Sequence, residues 1–197
     1  MRRTKVMISR NFWNAFDGQS GRLAAMFHSG CQQQVFSVVE EMLEQHGMDY
    51  CFDITADKHM CCLVFSPEGD DQAARDIDTI VASAPSIPGW RFYGRRQQKC
   101  VADVRFIMKH LFSIDVLQCR FHYSPERLNG RIVMFIPSST DITPDEQRGF
   151  ANTLLWHALG ERTVMERRLE AVVQKGIPTS QDTLSVQELV ERVLDAE

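Results

Sequence analysis

The sequence predicts an α+β fold in a single domain, residues 1–197, with a mixed, mostly antiparallel sheet of five to six strands. Helices are expected on one face of that sheet and peripheral helices at the two ends. Three observations carry the prediction. Residues 60–96 read as strand, helix and strand with a turn signal at each junction, and such a crossover within one sheet normally gives a parallel pair. Two further pairs of strand-like runs lie close enough in the chain to form hairpins, which are antiparallel. Thr143-Pro144-Asp145-Glu146 is a strong helix start, with a threonine cap, proline at the first helical position and glutamate three residues after the cap.

Taken in order, residues 1–30 are an N-terminal extension in which Phe12, Trp13 and Phe16 stand among polar residues and Gly18 and Gly21. That composition suits either a docked extension or a partner contact. The α+β core is expected over 31–173. In it, Val35, Val38, Val39, Met42 and Leu43 form an apolar helical stripe, Glu40, Glu41 and Glu44 lie outside it, and Gly47 is placed to end the helix. Residues 50–55 read as a strand joined through 56–59 to the run Met60-Cys61-Cys62-Leu63-Val64-Phe65-Ser66 as a hairpin. Asp70 or Asp71 caps the next helix, whose buried face is Ala73, Ala74, Ile77, Ile80, Val81 and Ala84. Pro85 stops it, Pro88-Gly89 turns the chain, and Trp90 begins a strand reaching Arg96.

The stretch 98–112 fits a helix through Val101, Val104, Met108 and Leu111. Phe106, Ile107 and Phe112 blur that face, and a strand ending near Phe106 stays open. Strands are expected over 114–123 and 131–136, joined by a Pro- and Asn-Gly-containing hairpin loop. The helix starting at Thr143 buries Phe150, Ala151, Leu154, Leu155 and Ala158 and stops at Gly160, while 163–173 satisfies neither period cleanly and stays open between a last strand and another helix. After a break at 176–180, residues 184–194 form an amphipathic helix in a C-terminal extension, 177–197. No internal repeat is visible.

Composition narrows the function. With 44% hydrophobic residues the chain can bury a substantial core, and a formal charge of −4 gives no global attraction to nucleic acid or anionic membrane. Six cysteines lack the spacing of a zinc site and read as reduced thiols, which suits a reducing, cytoplasmic location. No run is long and apolar enough to span a bilayer.

Two segments resemble a family of uncharacterised bacterial proteins. The first is Glu68-Gly69 before a helix, followed by Ala84-Pro85-Ser86-Ile87-Pro88-Gly89-Trp90-Arg91-Phe92 and an arginine at 95 or 96. The second is an apolar helix ending in Leu159-Gly160-Glu161. The resemblance implies a compact α+β domain and carries over no reaction. The chain departs from the pattern at Arg95-Arg96-Gln97, where a proline is expected shortly after the arginine.

Chemical motifs are sparse. His110, His122 and His157 with Glu161 or Asp115 are conceivable acid-base or metal groups, but no HxH or HExxH spacing supports them. Cys100 or Cys119 would need a cationic or histidine neighbour to act as a nucleophile. Gly89 and Gly94 form neither a GxGxxG nor a Walker loop. No catalytic residue, metal or cofactor is assigned. The locally basic run Arg91, Arg95, Arg96, Lys99, Arg105 and Lys109, opposed by Asp103 alone, has Trp90 and Tyr93 beside it for stacking. It suits a solvated sheet edge ahead of nucleic acid, with an acidic protein partner as a third use. The expected function is therefore a protein-interaction module, adaptor or immunity-like, with Trp90, Arg91, Tyr93, Arg95, Arg96 and Trp156 in contact with the partner. The alternatives are nucleic-acid binding through residues 91–109 and an enzyme whose polar residues meet only in the folded chain.

Overall fold

The computed structural model describes residues 2–57, 59–125, 130–176, 178 and 182–195, with side chains from residue 9 onward and not at Asp57. The turn signals at Lys58, at 126–129 and at 177 and 179–181 lie outside the described residues. The chain forms two compact units, Met1–Arg95 and Arg96–Glu197.

The first unit runs α1 (Arg2–His28), α2 (Gln32–Gln45), β1 (Cys51–Asp57), β2 (Met60–Ser66), α3 (Asp71–Ala82) and β3 (Trp90–Tyr93). β1 and β2 form the expected antiparallel hairpin, and β2 pairs in parallel with β3 after the α3 crossover. Asp70 is the cap of α3, its carboxylate accepting from the Ala73 N–H at 2.6 Å. The residues left ambiguous near the N-terminus are the centre of this unit. Phe12, Trp13 and Phe16 are almost completely buried and make ring contacts with Phe65, Trp90 and Phe92. Each buried indole finds an acceptor: Trp13 donates to Ile80 O and Trp90 to Ser20 O, both at 3.0 Å.

The second unit runs α4 (Val101–Phe112), a short 3₁₀ turn (Val116–Gln118), β4 (Arg120–Pro125), β5 (Gly130–Ile136), α5 (Pro144–Leu159), α6 (Glu161–Glu166), β6 (Glu170–Lys175) and α7 (Val186–Leu194). Again a hairpin, β4–β5, is extended by a parallel strand, β6, returning beside the second hairpin strand. Thr143 caps α5 through a complete capping box with Glu146, and Ser185 does the same for α7 with Glu188. Phe121, Ile132, Met134, Phe150, Leu154 and Leu189 lie at 0% exposure in this unit's core.

Several expectations are corrected. Among the described residues there is no single sheet of five to six strands; two three-stranded sheets, ordered β1-β2-β3 and β4-β5-β6, take its place. Neither is mostly antiparallel, since each has one antiparallel and one parallel pair. The physical reason lies at 98–112: this stretch is the helix α4, with Val104 and Met108 turned into the core, so no strand leads from β3 toward β4. The N-terminal helix is not peripheral, because burying three adjacent aromatic rings is worth more than solvating them. β3 ends at Tyr93, short of Arg96, and the next residue, Gly94, passes so close to α3 that a Cβ there would lie 3.1 Å from Ile77 Cγ2. The strand expected over 114–123 begins only at Arg120, after the 3₁₀ turn Val116–Gln118, and 163–173 divides into the end of α6 and β6. The two units also repeat one topology, hairpin then helical crossover to a parallel third strand, that the sequence does not display as a repeat.

Candidate functional site

The predicted partner-binding residues separate into different surroundings. Trp90 is buried, with 4% exposure. Arg91 is exposed and Tyr93 half-buried on β3. Arg95 is 8% exposed, and it closes the first unit by donating to Gly94 O, to Ala74 O at 3.1 Å and to Asp78 Oδ2 at 3.1 Å. Its guanidinium thus ties the exit of β3 to α3.

Arg96 and Trp156 belong to a second clasp. The Glu161 side chain is fully buried at the junction of α5 and α6. Its Oε2 accepts from the Arg96 backbone N–H at 3.1 Å, the Glu161 N–H donates to Arg96 O at 3.0 Å, and Oε1 lies 3.9 Å from Arg96 Nη1. The Arg96 guanidinium sits 5.0 Å from the Trp156 ring centroid, within cation–π range. Lys99 N–H donates to His157 O at 2.8 Å. Gly160 is needed here for two reasons: its φ of +80° disfavours a side chain, and a Cβ would stand 3.2 Å from Gln98 N. Arg96 and Glu161, 65 residues apart in the chain, therefore meet, and what they make is a fastening of one stretch of backbone to another.

The least satisfied surface lies on α4. Val104 and Met108 face inward at 0% exposure, and helical spacing then places Ala102, Arg105, Phe106, Lys109 and His110 outward. Phe106 is 73% exposed and Leu111 59%, with Leu117 of the 3₁₀ turn also exposed. The Phe106 and His110 rings are nearly coplanar in orientation, 5° apart, with centroids 6.3 Å apart. Arg105 is held by Asp115 through a forked contact, with Nε–Oδ1 at 2.9 Å and Nη2–Oδ2 at 2.6 Å. Those hydrogen bonds hold the Asp115 carboxyl below the usual carboxylate range. An open groove of about 570 Å³ runs over Ala102, Arg105, Phe106, Lys109 and His110. Sequence reasoning put Arg105 and Lys109 of this face in the basic run but missed Phe106, whose signal was that it blurred the helical stripe; Ile107 and Phe112, which blurred it too, pack against the core.

The histidines do not gather. His110 stacks with Phe106, His157 lies within α5, Asp115 holds Arg105 and Glu161 holds Arg96. His122 instead contacts Ser124. Among the described residues no cluster of three or more His, Cys, Asp or Glu has the arrangement of a metal site. None of the six cysteines is joined in a disulfide. Cys61 lies 3.7 Å from His28 Nε2 but is fully buried, and burial, helped by Cys62, pushes its pKa up. Burial likewise pushes Cys119 up to about 12. Both shifts oppose the thiolate that a nucleophile requires. Iodoacetamide should accordingly label exposed Cys51 and Cys100 in the folded protein, with Cys61, Cys62 and Cys119 slower by at least about tenfold. Peptide mass spectrometry reads the order, and early labelling at Cys61 would contradict it.

Among the described residues, no helix is long and apolar enough to cross a membrane. No family model, curated protein or solved structure matches this chain.

Proposed function

We propose that this protein is a recognition module that docks an acidic protein segment carrying an apolar anchor onto the outer face of α4. The observation that carries the reading is Phe106, an aromatic ring 73% exposed on a helix whose inward face is already fully packed. Large exposed aromatic residues flanked by cations are characteristic anchors of protein interfaces, where ring burial supplies affinity and charge supplies orientation. Lys109 lies on the same groove, beside the Arg105–Asp115 pair. A bound segment with a carboxylate near Lys109 and an apolar side chain over Phe106 satisfies both.

The arrangement favours this reading over a nucleic-acid track. Arg95, Arg96 and Arg105 each have a carboxylate partner, in Asp78, Glu161 and Asp115, and Trp90 is buried, so cations and stacking rings do not line up along one exposed path. The test compares capture of partners by wild type, by Phe106→Ser with Lys109→Glu, and by Arg91→Glu as a control on β3. The α4 variant is expected to lose a partner that the wild type and the control retain, and that partner, once purified, should bind directly and more weakly as salt rises. Equal capture by all three proteins would refute the reading.

A further inference from the structure

The geometry points to a second, chemical site on the second unit: Ser124 is a nucleophilic hydroxyl activated by His122, reactive toward a carboxylic ester whose acyl part is anionic. Residues two apart on a strand share a face, so Arg120, His122 and Ser124 project from one side of β4 while Phe121, at 0% exposure, projects into the core from the other. Ser124 Oγ lies 3.2 Å from His122 Nε2. The other ring nitrogen, Nδ1, lies 3.4 Å from the backbone oxygen of Asp182.

These two contacts select a tautomer. A carbonyl oxygen only accepts, so Nδ1 carries the proton, and in the neutral ring Nε2 is left with its lone pair toward the Ser124 hydroxyl. The order of hydroxyl, imidazole and orienting acceptor is that of an activated serine nucleophile. Both side chains are half-buried, which leaves the hydroxyl approachable.

The register supplies the substrate class. Arg131 on β5 is exposed and is paired across from Ser124 of β4 on one side and from exposed Glu170 of β6 on the other, and Val133 is paired across from His122. Directly opposed residues share a sheet face, so a guanidinium and an apolar patch lie beside the hydroxyl. Val172 of β6, 41% exposed, is paired with Val133 and extends that patch. Arg131 suits a carboxylate at the far end of a short acyl chain, and the two valines suit its methylenes.

The reaction is an acyl transfer. Ser124 Oγ bonds to the ester carbonyl carbon and the carbon–oxygen bond to the leaving alcohol breaks. The hydroxyl proton passes to His122 Nε2 and from there to the departing oxygen. A water deprotonated by the same nitrogen then releases the acid and restores Ser124. Water is the only co-reactant.

The test incubates the full chain with p-nitrophenyl hydrogen succinate and, separately, p-nitrophenyl acetate, and reads both nitrophenol release and the acylated peptide by mass spectrometry. The adduct is expected on Ser124, formed faster from the succinate. Ser124→Ala should abolish it, His122→Gln should slow it by about 10²–10⁴-fold, and Ser124→Cys should restore an adduct at 124. Arg131→Gln should narrow the preference for succinate with acylation by acetate retained. Circular dichroism melts establish that each variant is folded. Adducts confined to lysines or to Cys51 and Cys100, or unchanged acylation in folded His122→Gln, would overturn the assignment.

Discussion

Replacing Trp13 with alanine is expected to destabilise the first unit by about 3–5 kcal/mol, the usual cost of deleting a large buried aromatic ring. Trp13 is 1% exposed, and its ring meets Phe12, Phe16, Phe65 and Phe92 with centroids 4.5 to 6.4 Å away. Its removal opens a cavity among rings that cannot collapse without breaking their own edge-to-face contacts. The hydrogen bond to Ile80 O matters less, because that oxygen also accepts from the Ser83 hydroxyl at 2.7 Å and the Ser83 N–H at 3.1 Å. Trp13→Phe should therefore cost well under half as much. Urea unfolding gives the magnitudes, and hydrogen exchange gives the location: faster exchange in β1, β2 and β3, with β4, β5 and β6 little changed. Equal loss of protection in both sheets would contradict two separately closed cores.

The second large effect is expected at Glu161. Glu161→Ala removes the acceptor of the Arg96 N–H and leaves a guanidinium only 13% exposed without its carboxylate, and breaking a buried pair of this kind costs about 3–5 kcal/mol. The 3.1 Å contact to the backbone N–H is tighter than the 3.9 Å contact to the guanidinium, so the carbonyl oxygen is the part of the side chain that matters most. Glu161→Gln keeps such an oxygen and should cost about 1–2 kcal/mol. Denaturant melts of the two variants rank them. Equal losses for Gln and Ala would show that the charge, and not the bond to the backbone, holds the junction.

Much of the local structure was legible because its causes are local. The Asp70 cap, the Thr143–Glu146 capping box, the Gly160 stop and the 60–93 crossover each depend on residues within a few positions of one another. What was not legible depends on distant partners. Phe12, Trp13 and Phe16 carry no strand or stop signal that announces Phe65, Trp90 and Phe92 as their neighbours. The division into two sheets turned on whether 98–112 was helix or strand, and its pattern is ambiguous because Phe106 and Leu111 put apolar side chains among the charged ones on the outward face of α4.

The candidate site followed the same logic. A cluster of arginines in sequence looked like one surface, yet Arg95 and Arg96 turn inward to Asp78 and Glu161, carboxylates 17 and 65 residues away. Of the same run, Arg91 stays outward on β3, and Arg105 and Lys109 stay outward on α4, beside Phe106. The dyad of Ser124 and His122 was hidden for the opposite reason. It is local, but the acceptor that orients the ring is a backbone oxygen 60 residues further on, which no side-chain motif encodes.

The most direct measurement of recognition through α4 is photo-crosslinking from a benzoylphenylalanine placed at position 106, with the same group at position 91 as the comparison. Partner adducts should form from 106 and be suppressed by Lys109→Glu. Adducts formed from 91 alone would contradict the account and return the binding surface to the first unit.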